Sequence, residues 1–195
     1  MKIWRILFAV LLLAGAPASV HAAAYKVDED HTAVTFKVRH LLSNTQGQFK
    51  KFEGTIDFEA GKPESWKAEG TIQVSSIDTG VAQRDKHLLS KDFFEVEKYP
   101  TLTFKTAKVL ESSAESAKIE GVMNMHGVEK PIVLDVQILG VAKDPWGNTR
   151  AAFTATTKIN RKDFGLAYNQ ALETGQLLIG EEVSITLEVE GIQQA

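Results

Sequence analysis

Few residues in this 195-residue chain are of a type that does chemistry, and they are scattered. Past the N-terminal stretch the histidines are His31, His40, His87 and His126, and cysteine is absent. Imidazoles spaced a helical turn apart could share a metal ion, but these four stand far apart, with no thiolate to join them. The signatures Gly-x-Ser-x-Gly, His-Glu-x-x-His, Gly-x-Gly-x-x-Gly and the phosphate loop are missing. Redox chemistry would need a haem or metal held by His40, His87 or His126 after folding, acting on a quinone. His40 lies on an apolar strand face and reads better as a hydrogen-bonded wall residue, and His126, before Gly127, as a strand end.

The densest charged group is Arg84, Asp85 and His87, inside "GVAQRDKHLLSKDFFEVEKYP" at residues 80–100. Paired Leu and paired Phe beside charges suit a short helix that seals an apolar interior and keeps a polar edge in water. The pattern predicts a helix from Val81 to Lys91 with Asp78 or Thr79 as its cap. Val81, Leu88 and Leu89 would form its apolar stripe. Asp92 would cap a second short turn, with Glu95 as its capping-box partner. "HLLS" occurs at residues 40–43 and again at 87–90, but the flanks differ and the repeat reads as coincidence.

Around that insert the chain alternates with period two. In "AVTFKVRH" Val34, Phe36, Val38 and His40 share one face. In "KFEGTIDFE" Phe52, Gly54, Ile56 and Phe58 do so, and in "SWKAEGTIQVS" Trp66, Ala68, Gly70 and Ile72. "TLTFKTAKVLE", "AKIEGVMNMHG", "KPIVLDVQILGV", "TRAAFTATTKIN" and "EEVSITLEVEG" continue the pattern, with turns at "GKPES" and "DPWGN". This reads as about eight antiparallel strands with no βαβ rhythm: an all-β barrel or sandwich.

"MKIWR" followed by "ILFAVLLLAGAP" and Val20-His21-Ala22 has the form of a secretory leader, with cleavage expected after Ala22. Residues 1–22 are then the leader and 23–195 one domain exported to the periplasm. No later stretch is apolar enough to span a bilayer, so stable membrane insertion is not expected. The formal net charge is −3, and losing Lys2 and Arg5 with no acid makes it −5. An acidic chain without a basic run is a poor nucleic-acid partner.

The inward faces mix large aromatics (Phe36, Phe58, Trp66, Phe104, Phe153) with small residues (Gly54, Ala68, Gly70, Gly121, Ala151, Ala155). Two readings follow. The small residues leave a lumen for an apolar ligand, with Met123 and Met125 adapting to its shape, or they interdigitate with the rings in a solid core.

Specific blocks of the chain resemble the YceI family, the periplasmic polyisoprenoid-binding proteins of lipocalin-like fold. "DEDHTAVTFKVRHLLSNTQGQFKKFEGTIDF", residues 28–58, is similar to the family's opening. "TGVAQRDKHLLSKDFFEVEKYPTLTF", residues 79–104, is similar to its signature. "GVMNMHGVEKPIVLDV", "INRKDFGL" and "IGEEVSITLEVE" resemble its later blocks. Leu42 stands where the family usually has Gly, and Met123-Asn124-Met125-His126-Gly127 where many members have Leu-Thr-Ile-Arg/His-Gly.

The resemblance implies an antiparallel lipocalin-like β-barrel with a short helical lid and a long isoprenoid or isoprenoid quinone in its lumen. It brings no other cofactor and no catalytic residue. It also implies a homodimer in many members and a cytochrome b561-type membrane partner. On that basis the lumen is expected to be lined by Val34, Phe36, Val38, Ile56, Phe58, Trp66, Ile72, Phe104, Met123, Met125 and Phe153. The ligand's polar end is expected near His40, Arg84, His87 and Arg161.

Overall fold

A computed structural model describes residues 22–171 and 177–195. The expected leader lies outside them, apart from Ala22. The strands are β1 (Ala23–Val27), β2 (Ala33–His40), β3 (Ser43–Phe49), β4 (Phe52–Phe58), β5 (Lys67–Gln73), β6 (Ile77–Asp78), β7 (Thr101–Ser112), β8 (Ser116–Met125), β9 (Val128–Lys143), β10 (Thr149–Asn160) and β11 (Ile179–Gln193); the eight alternating stretches form all of them but β1, β3 and β6. The helix α1 (Ala82–Leu88) lies between β6 and β7.

These segments make eight barrel strands, because three strands are broken along their length. β1 and β2 lie in series along β11, β3 and β4 run in series beside them, and β5 and β6 follow β4 and β3. Every strand pairs antiparallel with its chain neighbour, and β11 closes the ring against β1 and β2. Closure removes most of the strand edge that an open sheet would expose.

Each break has an identifiable hydrogen-bonded cause. A 3₁₀ turn at Glu29–His31 separates β1 from β2, with the Asp28 carboxylate accepting from the Asp30 amide at 3.1 Å. The breaks after β3 and β5 are tied together: the Ser76 carbonyl accepts from Lys50 N at 3.2 Å and its hydroxyl from Lys51 N at 3.0 Å. Two-residue hairpins join other strands. Met125 faces Val128 across a turn in which His126 and Gly127 both take positive φ, of 54° and 74°. His126 therefore shapes a strand end, as its place before Gly127 suggested.

One seam in the barrel is open. The β9–β10 ladder stops at Asp135 opposite Thr156, and among the described residues the rest of β9 toward Val128 has no strand partner on that side. A 3₁₀ turn at Arg161–Phe164 packs against β9 there, and Phe164 is almost fully buried. Pro131 is tolerated in β9 because its side of the strand owes no ladder hydrogen bond.

The interior divides into two clusters. Val34, Phe49, Phe52, Ile77, Leu102, Met125, Ile159 and Phe164 gather at the α1 end, with Leu88, Leu89 and Phe94 packed on them. Tyr25, Phe58, Trp66, Leu134, Val136, Ala151 and Phe153 gather at the other.

The insert differs in detail from its sequence reading. The helix is shorter than Val81–Lys91, and its N-cap is Val81, which has no side-chain cap bond. Val81 is 47% exposed and stands outside the apolar stripe. The Asp78 carboxylate accepts instead from Gly80 N at 2.8 Å and pairs with Lys50 at 2.5 Å. Thr79 bonds forward to the helix, its amide and hydroxyl both donating to Asp85 Oδ1 at 2.9 and 2.5 Å. Asp92 caps no second helix; it pairs with His87 at 2.8 Å, while Glu95 takes a φ of 46° in a turn. The short polar side chains found partners other than the helix ends, the usual competition for such residues.

Candidate functional site

A cavity of about 660 Å³ occupies the barrel between the two clusters. Its wall is built from the inward-facing residues of the alternating strands, so the period-two pattern is what constructs it. Val34, Phe36 and Val38 of β2, Ile56 and Phe58 of β4, Trp66, Ile72 of β5, Phe104 of β7, Met123 and Met125 of β8 and Phe153 of β10 all line it. His40, Arg84, His87 and Arg161 line it as well. His40 and Gln170, exposed members near Arg84 and His87 in the lining, mark a mouth at the α1 end, and Glu53, Thr55, Lys67, Glu69 and Thr103 are exposed members along β4, β5 and β7.

The small residues do three different things. A Cβ on Gly70 would meet only the Glu53 carbonyl, at 3.6 Å, so Gly70, opposite Gly54, leaves the β4–β5 wall thin and the lumen wide. Gly121 and Gly47 instead seat rings. An added Cβ would lie 2.3 Å from Phe104 Cζ and from Phe36 Cζ respectively, so both rings press on the wall rather than cross the cavity. Ala151 and Ala155 pack into the buried cluster away from the mouth. Lumen and interdigitation coexist, at different places in the same barrel.

At that far end Phe58 lies between Trp66 and Phe153, with ring centroids 5.0 and 5.1 Å away. Trp66 Nε1 donates to the Glu59 carbonyl at 2.6 Å, which satisfies its polar atom at the wall.

At the mouth Arg84 Nε donates to Thr79 Oγ1 at 2.7 Å and Arg84 Nη2 to the Thr79 carbonyl at 2.8 Å. The His87 ring stands edge-on to Phe93 and Tyr168, with centroids 5.1 and 5.0 Å away. Arg161 is only 4% exposed. Its Nε donates to the Gly180 carbonyl at 2.9 Å and its Nη1 to the Leu166 carbonyl. Its Nη2 is buried with no partner among the described residues. Burial pulls its pKa below the usual arginine value, against the opposing charge of Glu181. Glu181 is itself held by Lys162 at 2.5 Å, which keeps its carboxyl below the ordinary range.

His40 is corrected. It makes no side-chain hydrogen bond among the described residues and stands exposed on the rim, not in a bonded wall. His126 does not line the cavity; its Nδ1 contacts the Phe164 carbonyl at 3.2 Å and its ring packs on Tyr99. Among the described residues the one grouping with the spacing of metal ligands is Asp28, His31 and Glu190. None of His40, His87 and His126 belongs to it. Arg150 already binds both of its carboxylates, at 2.6 and 2.5 Å.

Sequence reasoning missed part of the lining. Phe49, Leu88, Phe93 and Phe94 belong to the mouth, and Leu166, Tyr168, Leu178 and Ile179 come from the segments flanking Arg161 and β11. The Leu and Phe pairs carry a signal, because paired apolar residues beside charges suit a segment that seals an apolar interior. Leu166 and Tyr168 lie in irregular chain, where no periodicity marks an inward face.

Among the described residues no helix is long and apolar enough to cross a membrane. Residues 25–191 match the YceI-like domain. Protein YceI of Escherichia coli is 39% identical over 179 residues, covering 90% of each chain. The Campylobacter jejuni YCEI protein is 35% identical with a TM-score of 0.70, covering 82% of this chain and 91% of that one. A polyisoprenoid binding domain from Saccharophagus degradans shares the fold at 18% identity and a TM-score of 0.66, over 88% of this chain and 99% of its own. The eight-stranded barrel, its helical lid and these likenesses agree: the chain belongs to the YceI-like family.

Proposed function

We propose that this protein is a non-enzymatic carrier or sequestering protein for a long-chain isoprenoid lipid, a polyprenol or an isoprenoid quinone, working in the periplasm after loss of residues 1–22. The observation that carries the reading is the 660 Å³ cavity, walled mainly by apolar side chains of the barrel strands and bordered beside the lid by His40, Arg84, His87 and Arg161. The polyisoprenoid-binding neighbour of the same fold supports it. The chain enters tail first, with its polar end near His40, Arg84, His87 and Arg161. A homodimer and a cytochrome b561-type membrane partner belong to the same reading.

The energetics are adequate. A long isoprenoid burying about 600 Å² gains on the order of 15 kcal/mol at about 25 cal/mol per Å². Association and ordering remove a large part, which leaves micromolar to nanomolar binding without special polar contacts. Affinity then comes from the wall, so Phe104→Ala weakens binding more than Arg84→Ala. Equal losses would sink that division.

The deciding experiment is native mass spectrometry of protein purified from its own periplasm without added lipid, followed by denaturation and identification of what is released. The expected result is an isoprenoid at about one per chain. An empty protein that also takes up no added polyprenol overturns the reading.

A further inference from the structure

We propose that the tip of the β2–β3 hairpin, Leu41 and Leu42, is a reversible docking point for a lipid bilayer, set beside the mouth so that cargo passes between membrane and lumen. This rests on the lipid reading above and adds the surface from which the lipid comes.

The first observation is the pair itself. Leu42 is 93% exposed and Leu41 41%, side by side at the end of a hairpin in which His40 faces Ser43. Two-residue turns favour Asn, Asp or Gly, because a central residue must take positive φ. Here Leu41 takes it, at 54°, a conformation in which its Cβ crowds the backbone. The turn is firmly held all the same. Leu41 N donates to the Leu178 carbonyl at 2.8 Å, and Arg39 Nη1 donates to the Leu41 carbonyl at 2.9 Å. A strained turn that presents two leucines to water serves neither folding nor solubility, and it points to a contact outside the chain.

The second observation is place and charge. The tip directly follows His40, which lines the cavity, and Leu178, its backbone partner, lines it too. Neither leucine belongs to the lining itself. At this end Arg39 and the lid segment's Lys86 and Lys91 are exposed and form no ion pair among the described residues. Asp85 and Asp92, the acids within residues 82–92, are engaged by Thr79 and His87. An apolar point beside uncommitted cations suits the surface of an anionic bilayer. A protein partner suits it less, because a specific interface buries about 800 Å² on each side. Two protruding side chains supply little of that area, whereas entering a bilayer asks only that they reach the acyl boundary.

The chain has no cysteine, so one environment-sensitive fluorophore can be placed on the mature protein at Leu42→Cys, or at the opposite end at Trp146→Cys, where the native ring is 80% exposed. Vesicles of phosphatidylethanolamine and phosphatidylglycerol, free of isoprenoid, are then added. The fluorophore at position 42 is expected to shift to the blue and the one at 146 to stay unchanged. No shift at 42, or one as large at 146, overturns the docking. The double variant Leu41→Asn, Leu42→Gly gives the turn residues that suit it, so the fold is kept. Its co-sedimentation with the same vesicles falls by about tenfold or more, as two apolar side chains are lost from the contact. Its uptake of polyprenol from vesicles slows to match, while uptake of polyprenol delivered in detergent, read by native mass spectrometry, stays at the wild-type level. Unchanged co-sedimentation or unchanged uptake from vesicles also overturns the docking and leaves the lipid reading intact. A wild type that takes up polyprenol by neither route overturns the lipid reading itself.

Discussion

Gly121 shows how a single hydrogen atom in place of a side chain shapes this lumen. Its added Cβ would meet Phe104 Cζ at 2.3 Å and the Lys105 carbonyl at 2.7 Å, one a ring that can swing and the other backbone that cannot. Gly121→Ala therefore forces the Phe104 ring off the wall and into the lumen, at a cost of about 1–3 kcal/mol. Urea unfolding of lipid-free protein measures it. In a Phe104→Ala background the same substitution costs less, because one of its two clashes is gone. Additive losses would show that the ring is not what Gly121 accommodates. From sequence, Gly121 and Gly70 looked alike, two small residues on inward faces. What separates them is the orientation of a ring on the neighbouring strand, a matter of register and rotamer that alternation does not encode.

The barrel is locked at the end away from the lid by one arginine serving three elements. Arg150, at the start of β10, holds Asp28 of the β1–β2 break at 2.6 Å, Asp144 of the β9–β10 hairpin at 2.8 Å and Glu190 of β11 at 2.5 Å. Its guanidinium is the largest cause holding the Asp28 and Asp144 carboxyls below their ordinary values. Groups depressed in the folded state contribute stability that is present above their unfolded pKa, about 3.9, and lost as pH falls through the folded value. Wild-type stability should thus be flat from pH 7 to about 5 and decline below about 4. Arg150→Met should melt lower at pH 7, where three carboxylates lose their shared guanidinium and Asp28 keeps only His31 beside it. The gap should narrow below about pH 4, as those carboxylates protonate. Thermal unfolding of both proteins from pH 7 to 3 checks this, and a gap that does not change with pH would contradict it. The elements themselves were largely legible. "AVTFKVRH" is β2 residue for residue, and the later strands followed their apolar alternation. β3, with the sequence SNTQGQF, was not legible, because its face pattern is polar and glycine-containing and only its place between β2 and β6 makes it a strand. The breaks after β3 and β5 were equally hidden, since they depend on Ser76 meeting Lys51, 25 positions away.

Taken whole, the molecule is a tube with a mouth and a floor, and the two ends do different work. The mouth carries the guanidiniums and the lid; the floor is Phe58 set between a tilted Trp66 and an edge-on Phe153, with Tyr25 buried beside them. The residues named from sequence for the lumen and its polar end border the cavity, yet alternation alone could not say which were wall and which floor, because that requires knowing where the eight strands close. Phe58→Ala tests the distinction. Removing a buried ring at 5% exposure should cost the lipid-free protein about 3–5 kcal/mol, through lost transfer energy and an unfilled hole. The same hole lengthens the lumen, so a longer isoprenoid can refill it and recover part of the loss by binding the folded state alone. The expected outcome is a variant that is less stable when empty and prefers longer polyprenols than the wild type does. Competition among polyprenols of graded length, read by native mass spectrometry, measures that preference directly. A preference unmoved by Phe58→Ala would mean that the chain stops short of Phe58 and that Ile56, Phe104 or Ile119, higher in the tube, sets the length limit.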